Sequence, residues 1–280
     1  MAVALAVSRK DSPSKLAALG RFSGFKPESE RQVRKTEVKA DPNLRTLKDL
    51  FERFQFIGIR SRDFPAADHT AACRLLKTRI YSSTQIMAFS LVLPDLEKTL
   101  KVGNQKSNQE IFKAKSGILF SALINRSPDY DFRLFSHDIA HAMDYLGSFN
   151  TKNIRICGDA GHHLGRSMQR GTITVEGNAG DHLGDEMMSG KIIVMGNSGA
   201  SAGGMMNGGS IEIFGNAAHG LGEHMVNGKI HVHGDAGQDI AAHAKNARIS
   251  IDGDIGEFGE RYTSALIYHK GKLVRKGPFI

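Results

Sequence analysis

A Gly-Asn or Gly-Asp pair recurs at Gly158, Gly177, Gly196, Gly215, Gly234 and Gly253, nineteen residues apart every time. Counting each pair as slots one and two, other slots keep register. Slot seven holds Leu164, Leu183, Ala202, Leu221 and Ile240, and slot eleven holds Met168, Met187, Met206, Met225 and Ala244. Slot sixteen holds Ile173, Ile192, Ile211, Ile230 and Ile249, and slot eighteen Val175, Val194, Ile213, Val232 and Ile251. A short fixed period means a solenoid, in which one coil buries its apolar face only when the next stacks on it.

The Ile-x-Val spacing has period two, so slots sixteen and eighteen share a face while slot seventeen (Thr174, Ile193, Glu212, His231, Ser250) points away. That is a strand pattern. Several glycines per unit exclude a helical repeat, since each would cost about 1 kcal/mol relative to alanine. Single strands with no crossover helix between them must pair in parallel with the next coil, about 4.8 Å away. The expected fold is therefore mainly β: a single-stranded parallel β-helix over residues 149–262. Its glycines and the Asn178, Asn197 and Asn216 beside them are expected at corners, where they tolerate positive φ.

An open solenoid end invites edge pairing unless it is covered. At the front, Ser136 is expected to cap a helix running to about Leu146. At the back, Ala265–Tyr268 and Lys272–Arg275 flank His269-Lys270-Gly271 and predict a closing hairpin within 263–280. Residues 51–148 predict a smaller α/β module, with a strand over Phe54–Ile59, a helix over Ala66–Ile80, a strand or buried segment over Gln85–Leu93, and helices near Asp95–Val102 and Asn108–Ile124. Residues 1–50 are expected to form a basic linker or flexible arm.

Charge and glycine divide the chain near residue 150. The first 150 residues carry 24 Lys and Arg against 16 Asp and Glu but only 6 glycines, whereas the remainder is neutral and carries 25. The basic arm mixes Arg31, Arg34, Lys35 and Lys39 with Glu28, Glu30 and Glu37, a solvated pattern, so nucleic acid is not an expected partner. Cys73 and Cys157 form no CxxC motif, which argues against a disulfide framework or zinc ribbon. No stretch has the roughly 18 apolar residues of a membrane span, so a cytoplasmic protein is expected. Met1 to about Lys26, basic with Asp11 as its one acid, is also compatible with a transit peptide.

The unit G-[N/D]-x-G-x-x-x-G-x-x-M-x-x-G-x-I-x-V resembles the GXGXG repeat shared by the C subunit of formylmethanofuran dehydrogenases and the C-terminal domain of the glutamate synthase large subunit. The likeness covers roughly residues 150–260, and the regular spacing with its methionine slot is closer to the former. It implies a right-handed β-helix that supports catalytic subunits carried elsewhere in a hetero-oligomeric oxidoreductase complex of one-carbon metabolism. It implies no catalytic residue and no cofactor on this chain. Partnership with a glutamate-synthase-like amidotransferase is the alternative.

A third reading, a stand-alone metal-dependent enzyme, rests on histidines. The period stacks His163 above His182 and His224 above His243, each pair about 5 Å apart, where two imidazoles can share a metal completed by Asp181, Asp185, Glu186 or Glu223. A polar outer ladder of neutral histidines explains the same spacing. His137-Asp138-x-x-His141 has helical chelating spacing without an evident third ligand. Gly199-Ala200-Ser201-Ala202-Gly203 matches a nucleophile elbow, but its glycines fall on repeat slots four and eight, which accounts for the match without catalysis. Asp63, Asp68 and His69 are expected near a strand–helix junction, where α/β proteins often place ligands.

Overall fold

A computed structural model describes residues 42–55, 66–99, 106–136, 143–259 and 265–276. Four helices come first: α1 (Pro42–Gln55), α2 (Ala66–Leu76), α3 (Ser83–Thr99) and α4 (Lys106–Arg126). Nine strands follow in one sheet whose spatial order is their sequence order. They are β1 (Asp131–Phe135), β2 (Asn153–Cys157), β3 (Thr172–Val175), β4 (Lys191–Val194), β5 (Ser210–Ile213), β6 (Asn227–Val232), β7 (Asn246–Ile251), β8 (Leu266–His269) and β9 (Lys272–Lys276).

Strands β1 to β8 pair in parallel, each with the next, which is the expected β-solenoid. Ile154, Ile173, Ile192, Ile211, Ile230, Ile249 and Ile267 are successive register partners and form one column, every member at most 2% exposed. Met168, Met187, Met206 and Met225 fill the next side of the interior at 0% exposure. A second parallel ladder of single bridges runs Ala160, Ala179, Ser198, Ala217, Ala236, Ile255 along another wall.

The corner asparagines have a different purpose from the one expected. Positive φ falls at slots six and ten, as at His163 and His182 or Glu186 and His224, and not at Asn178, Asn197 or Asn216. Each slot-two side chain instead accepts a hydrogen bond from the backbone N–H of the slot-two residue one coil on. The chain runs from Asp159 through Asn178, Asn197, Asn216 and Asp235 to Asp254, with N···O distances of 2.6 to 2.9 Å. Slot one must be glycine for this ladder to exist, because a Cβ at Gly177, Gly196, Gly215, Gly234 or Gly253 would lie 2.2 to 2.5 Å from the accepting oxygen below.

The solenoid begins earlier than residue 149. β1 pairs with β2 at a spacing of 22 residues, Asp131 against Asn153, so the first turn is longer than the repeat. Residues 144–149 form its corner as a turn, not as the end of a helix: Tyr145 N–H donates to His162 O, and Gly165 N–H to Leu146 O. The remainder of the proposed capping helix, residues 137–142, lies outside the described residues.

The front is instead covered by the helices. Ser121 Oγ donates to Tyr145 O and Asn125 Nδ2 to Ser148 O, so α4 lies on the first coil. The end of β1 is held by α3, whose Ser90 hydroxyl accepts from Phe135 N–H at 3.2 Å. One continuous apolar core runs from Leu44 to Ile267. Among the described residues this front module is helical, not α/β. Gln85–Leu93 is part of α3, started by a capping box in which Gln85 N–H donates to Ser82 Oγ and Ser82 N–H to Gln85 Oε1. Its apolar residues show no single stripe because α3 is packed against α1, α4 and β1 at once. Phe54 and Gln55 end α1, and residues 56–65 lie outside the described residues. At the far end, β8 and β9 form the expected antiparallel hairpin and close the stack.

Candidate functional site

Three polar constellations stand out from the apolar frame. The first is the corner of slot six. His163 and His182 stack with ring centroids 4.6 Å apart and planes 5° from parallel, and Tyr145 extends the stack on the other side of His163 at 4.6 Å and 2°. His224 and His243 stack in the same way at 4.6 Å and 6°. The expected pairs are thus brought together, but face to face. An imidazole lone pair lies in the ring plane, so two nearly parallel stacked rings aim their lone pairs side by side in the same direction and do not converge on one cation between them. The stacks therefore fit a polar outer ladder better than a shared metal.

Burial governs the charge state there. Burial first, then the neighbouring His182 and Arg166, push the His163 imidazole down to about 4. Its Nδ1 is buried without a hydrogen-bond partner, 4.0 Å from Asp185 Oδ2. Burial also raises the Asp185 carboxyl, whereas hydrogen bonds from Arg166 and Ser167 outweigh burial at Glu186 and hold it low. Arg166 spans this corner, 2.8 Å from Glu186 Oε1. Of the carboxylates expected as further ligands, Glu186 and Asp185 face Arg166, Asp181 accepts from Ala200 N–H, and Glu223 lies 3.8 Å from His224 Nε2.

The second constellation lies on the outer face of the sheet. Glu212 on β5 and His231 on β6 are register partners, so their side chains project side by side. His233, two residues on, projects to the same face. His233 Nε2 lies 3.3 Å from Glu212 Oε1, and Asp252 Oδ2 lies 2.9 Å from His231 Nε2 and 3.2 Å from His233 Nδ1. Lys191 Nζ approaches the other Glu212 oxygen at 2.8 Å. The His233 hydrogen bond and then, against the opposing effect of burial, Lys191 hold the Glu212 carboxyl down at about 2. Phe214 stacks on His233 at 4.5 Å and 13°. Glu212, His231 and His233 each offer a ligand atom within 4.8 Å of the others, the one such group of three among the described residues. The signal was present in the sequence: slot seventeen placed Glu212 and His231 in one outward column, and His-x-His put His233 beside them.

The third is in the helices. Asp68 and Lys115 form a buried ion pair, Oδ2 to Nζ 2.9 Å, between α2 and α4, with the ammonium 4.5 Å over the Phe54 ring. His69 is packed against Phe149, and burial lowers its basicity. Asp68 and His69 thus join the module internally and to the first coil. Asp63, His137, His141 and the arm bearing Arg31, Arg34, Lys35 and Lys39 lie outside the described residues. Ser201 occupies a corner at φ 54° with Glu223 Oε2 3.5 Å away, in a run of turns with no following helix, so the elbow match is the repeat itself.

Neither a scan of the chain against protein-family models nor a search of curated proteins finds a match. The likeness to GXGXG repeats therefore rests on the slots themselves. No helix among the described residues is long and apolar enough to cross a membrane.

Proposed function

We propose that this chain is a non-catalytic structural subunit of a multi-subunit oxidoreductase complex in the cytoplasm, of the kind its repeat resembles in one-carbon metabolism. The observation that carries the proposal is the filled axis. The isoleucine, valine and methionine columns are closed to solvent from coil to coil, so the solenoid body offers a rigid outer surface instead of an internal reaction chamber. Grooves of about 440 and 570 Å³ run over the sheet, lined by strand and corner residues such as Arg133 and Arg155 or Lys229 and Arg248. Such surfaces suit contact with a folded partner.

The helical module supplies a second contact. Arg53, Arg74, Lys77 and Arg79 surround a hollow of about 570 Å³, beside an Ile80 that is 61% exposed. A basic rim around apolar atoms complements an acidic, partly apolar protein surface. The test is native mass spectrometry of the tagged chain isolated at endogenous level from its host. The expected result is a fixed-stoichiometry assembly with molybdopterin- or amidohydrolase-type subunits. A complex with FMN- and glutaminase-bearing subunits would move the reading to the amidotransferase class. Recovery of the chain alone would reject both.

A further inference from the structure

We propose that Glu212, His231 and His233 bind one divalent transition-metal ion of the zinc type on the outer face of the sheet, with Asp252 in reach as a fourth ligand. The case is geometric. Parallel pairing sets Glu212 beside His231, the two-residue period brings His233 to the same face, and His233 N–H donates to Ile213 O, so all three backbones are fixed between the coils. Their ligand atoms lie within 4.8 Å of one another. Ligands at about 2.0–2.2 Å from a tetrahedral zinc are separated by roughly 3.3–3.6 Å, so rotamer adjustments of under about 1 Å close the site.

The surroundings act as a supporting shell. Phe214 fixes the plane of His233 by stacking, and Lys191 holds Glu212 Oε2, leaving Oε1 turned toward the imidazole. Asp252 Oδ2 is near both imidazoles, so it either ligates directly or orients a ring through its second nitrogen. Unlike the stacked pairs at slots six and ten, the rings of His231 and His233 are tilted by 43° at a centroid distance of 4.1 Å, which lets their lone pairs converge.

Two imidazoles with one or two carboxylates select zinc, cobalt, nickel or copper over magnesium and calcium, which prefer all-oxygen shells. Side-chain exposures of 40% at His231 and 12% at His233 leave a path for the ion and for a water or a partner's ligand at any open position.

The experiment uses the full chain without a histidine tag, stripped with chelator and titrated with Zn²⁺ by calorimetry and with Co²⁺ by visible absorption. One equivalent should bind, with cobalt bands of a low-coordinate site, and His231→Ala with His233→Ala should weaken it at least about 100-fold. His163→Asn with His224→Asn should leave it unchanged. Circular dichroism checks that each variant is folded; if the double alanine variant is not, the isosteric Glu212→Gln decides, with an expected loss of at least about tenfold. No binding tighter than about 100 µM, or tight binding that survives the sheet-face substitutions, overturns the proposal.

Discussion

Gly203→Ala tests whether the solenoid interior is as tightly filled as its columns imply. Gly203 has φ 73°, and a Cβ there would sit 2.4 Å from Ile230 Cδ1, while Gly271, in the β8–β9 turn, has φ 74° and nothing within 4 Å. Both alanines carry the same torsional penalty, about 1–2 kcal/mol for an L residue in the left-handed region. They differ in what the new methyl meets. Ile230 is 1% exposed and stacked between Ile211 and Ile249, so it yields only by leaving its rotamer or shifting its strand, adding about 1–3 kcal/mol. Gly203→Ala should therefore cost about 2–5 kcal/mol and Gly271→Ala about 1–2. Ile230→Val removes Cδ1 at a cost of about 0.5–1.5 kcal/mol by itself. In the Gly203→Ala background it should be close to neutral or restorative, a coupling of about 1 kcal/mol or more. Urea unfolding followed by far-ultraviolet circular dichroism suits a chain with no tryptophan. Equal costs for the two glycine variants, or strict additivity of the pair, would refute the packing argument.

Two further outcomes follow from the polar groups. With its pKa depressed from 6.5 to about 4 on folding, His163 binds a proton more readily in the unfolded chain, so stability falls as pH drops from 6.5 toward 4. The loss is at most about 3 kcal/mol, and His163→Asn should flatten that part of the profile of urea midpoint against pH. Lys115→Met leaves the Asp68 carboxylate buried without its ammonium and should cost about 3–5 kcal/mol, most of it recovered by adding Asp68→Asn; thermal denaturation of the three variants would show no recovery if the pair were not coupled.

Legibility followed periodicity. The slots that repeat identically, Ile173 to Ile249 and Met168 to Met225, disclosed strand, face and stacking direction at once, because a column needs the same shape in every coil. Where the chain departs from nineteen residues the pattern was lost. The first turn spans 22 residues and carries Tyr145 where the next two coils carry His163 and His182, so the stretch from Ser136 to about Leu146 read as a capping helix. In α3 the misreading came from burial on several sides, which erases the helical stripe; the Ser82–Gln85 box was the legible cue. The slot-two asparagines were placed at the right corner for an incomplete reason, since a side chain accepting from the next coil is visible only once the coils are stacked.

The same logic separates support from chemistry along the outer columns. Inside, a substitution in one coil is felt by the coils above and below, so shape must repeat. On the outer face each coil can change its slot-seventeen and slot-nineteen residues with little effect on the core, and the column Thr174, Ile193, Glu212, His231, Ser250 does change at every step. A group of unlike, mutually oriented side chains can therefore arise on the sheet face without cost to the fold, as it does where Glu212 on β5, His231 on β6, and His233 and Asp252 just after β6 and β7 meet. The histidines of slot six are constrained differently. They lie in left-handed corners and repeat in register with one another, which yields parallel rings and a continuous stack. Repetition makes a ladder, and a break in repetition on an outward face makes a site. This is why six of the eight histidines of the repeats divide into two stacked pairs that brace corners and a tilted pair that converges on a carboxylate.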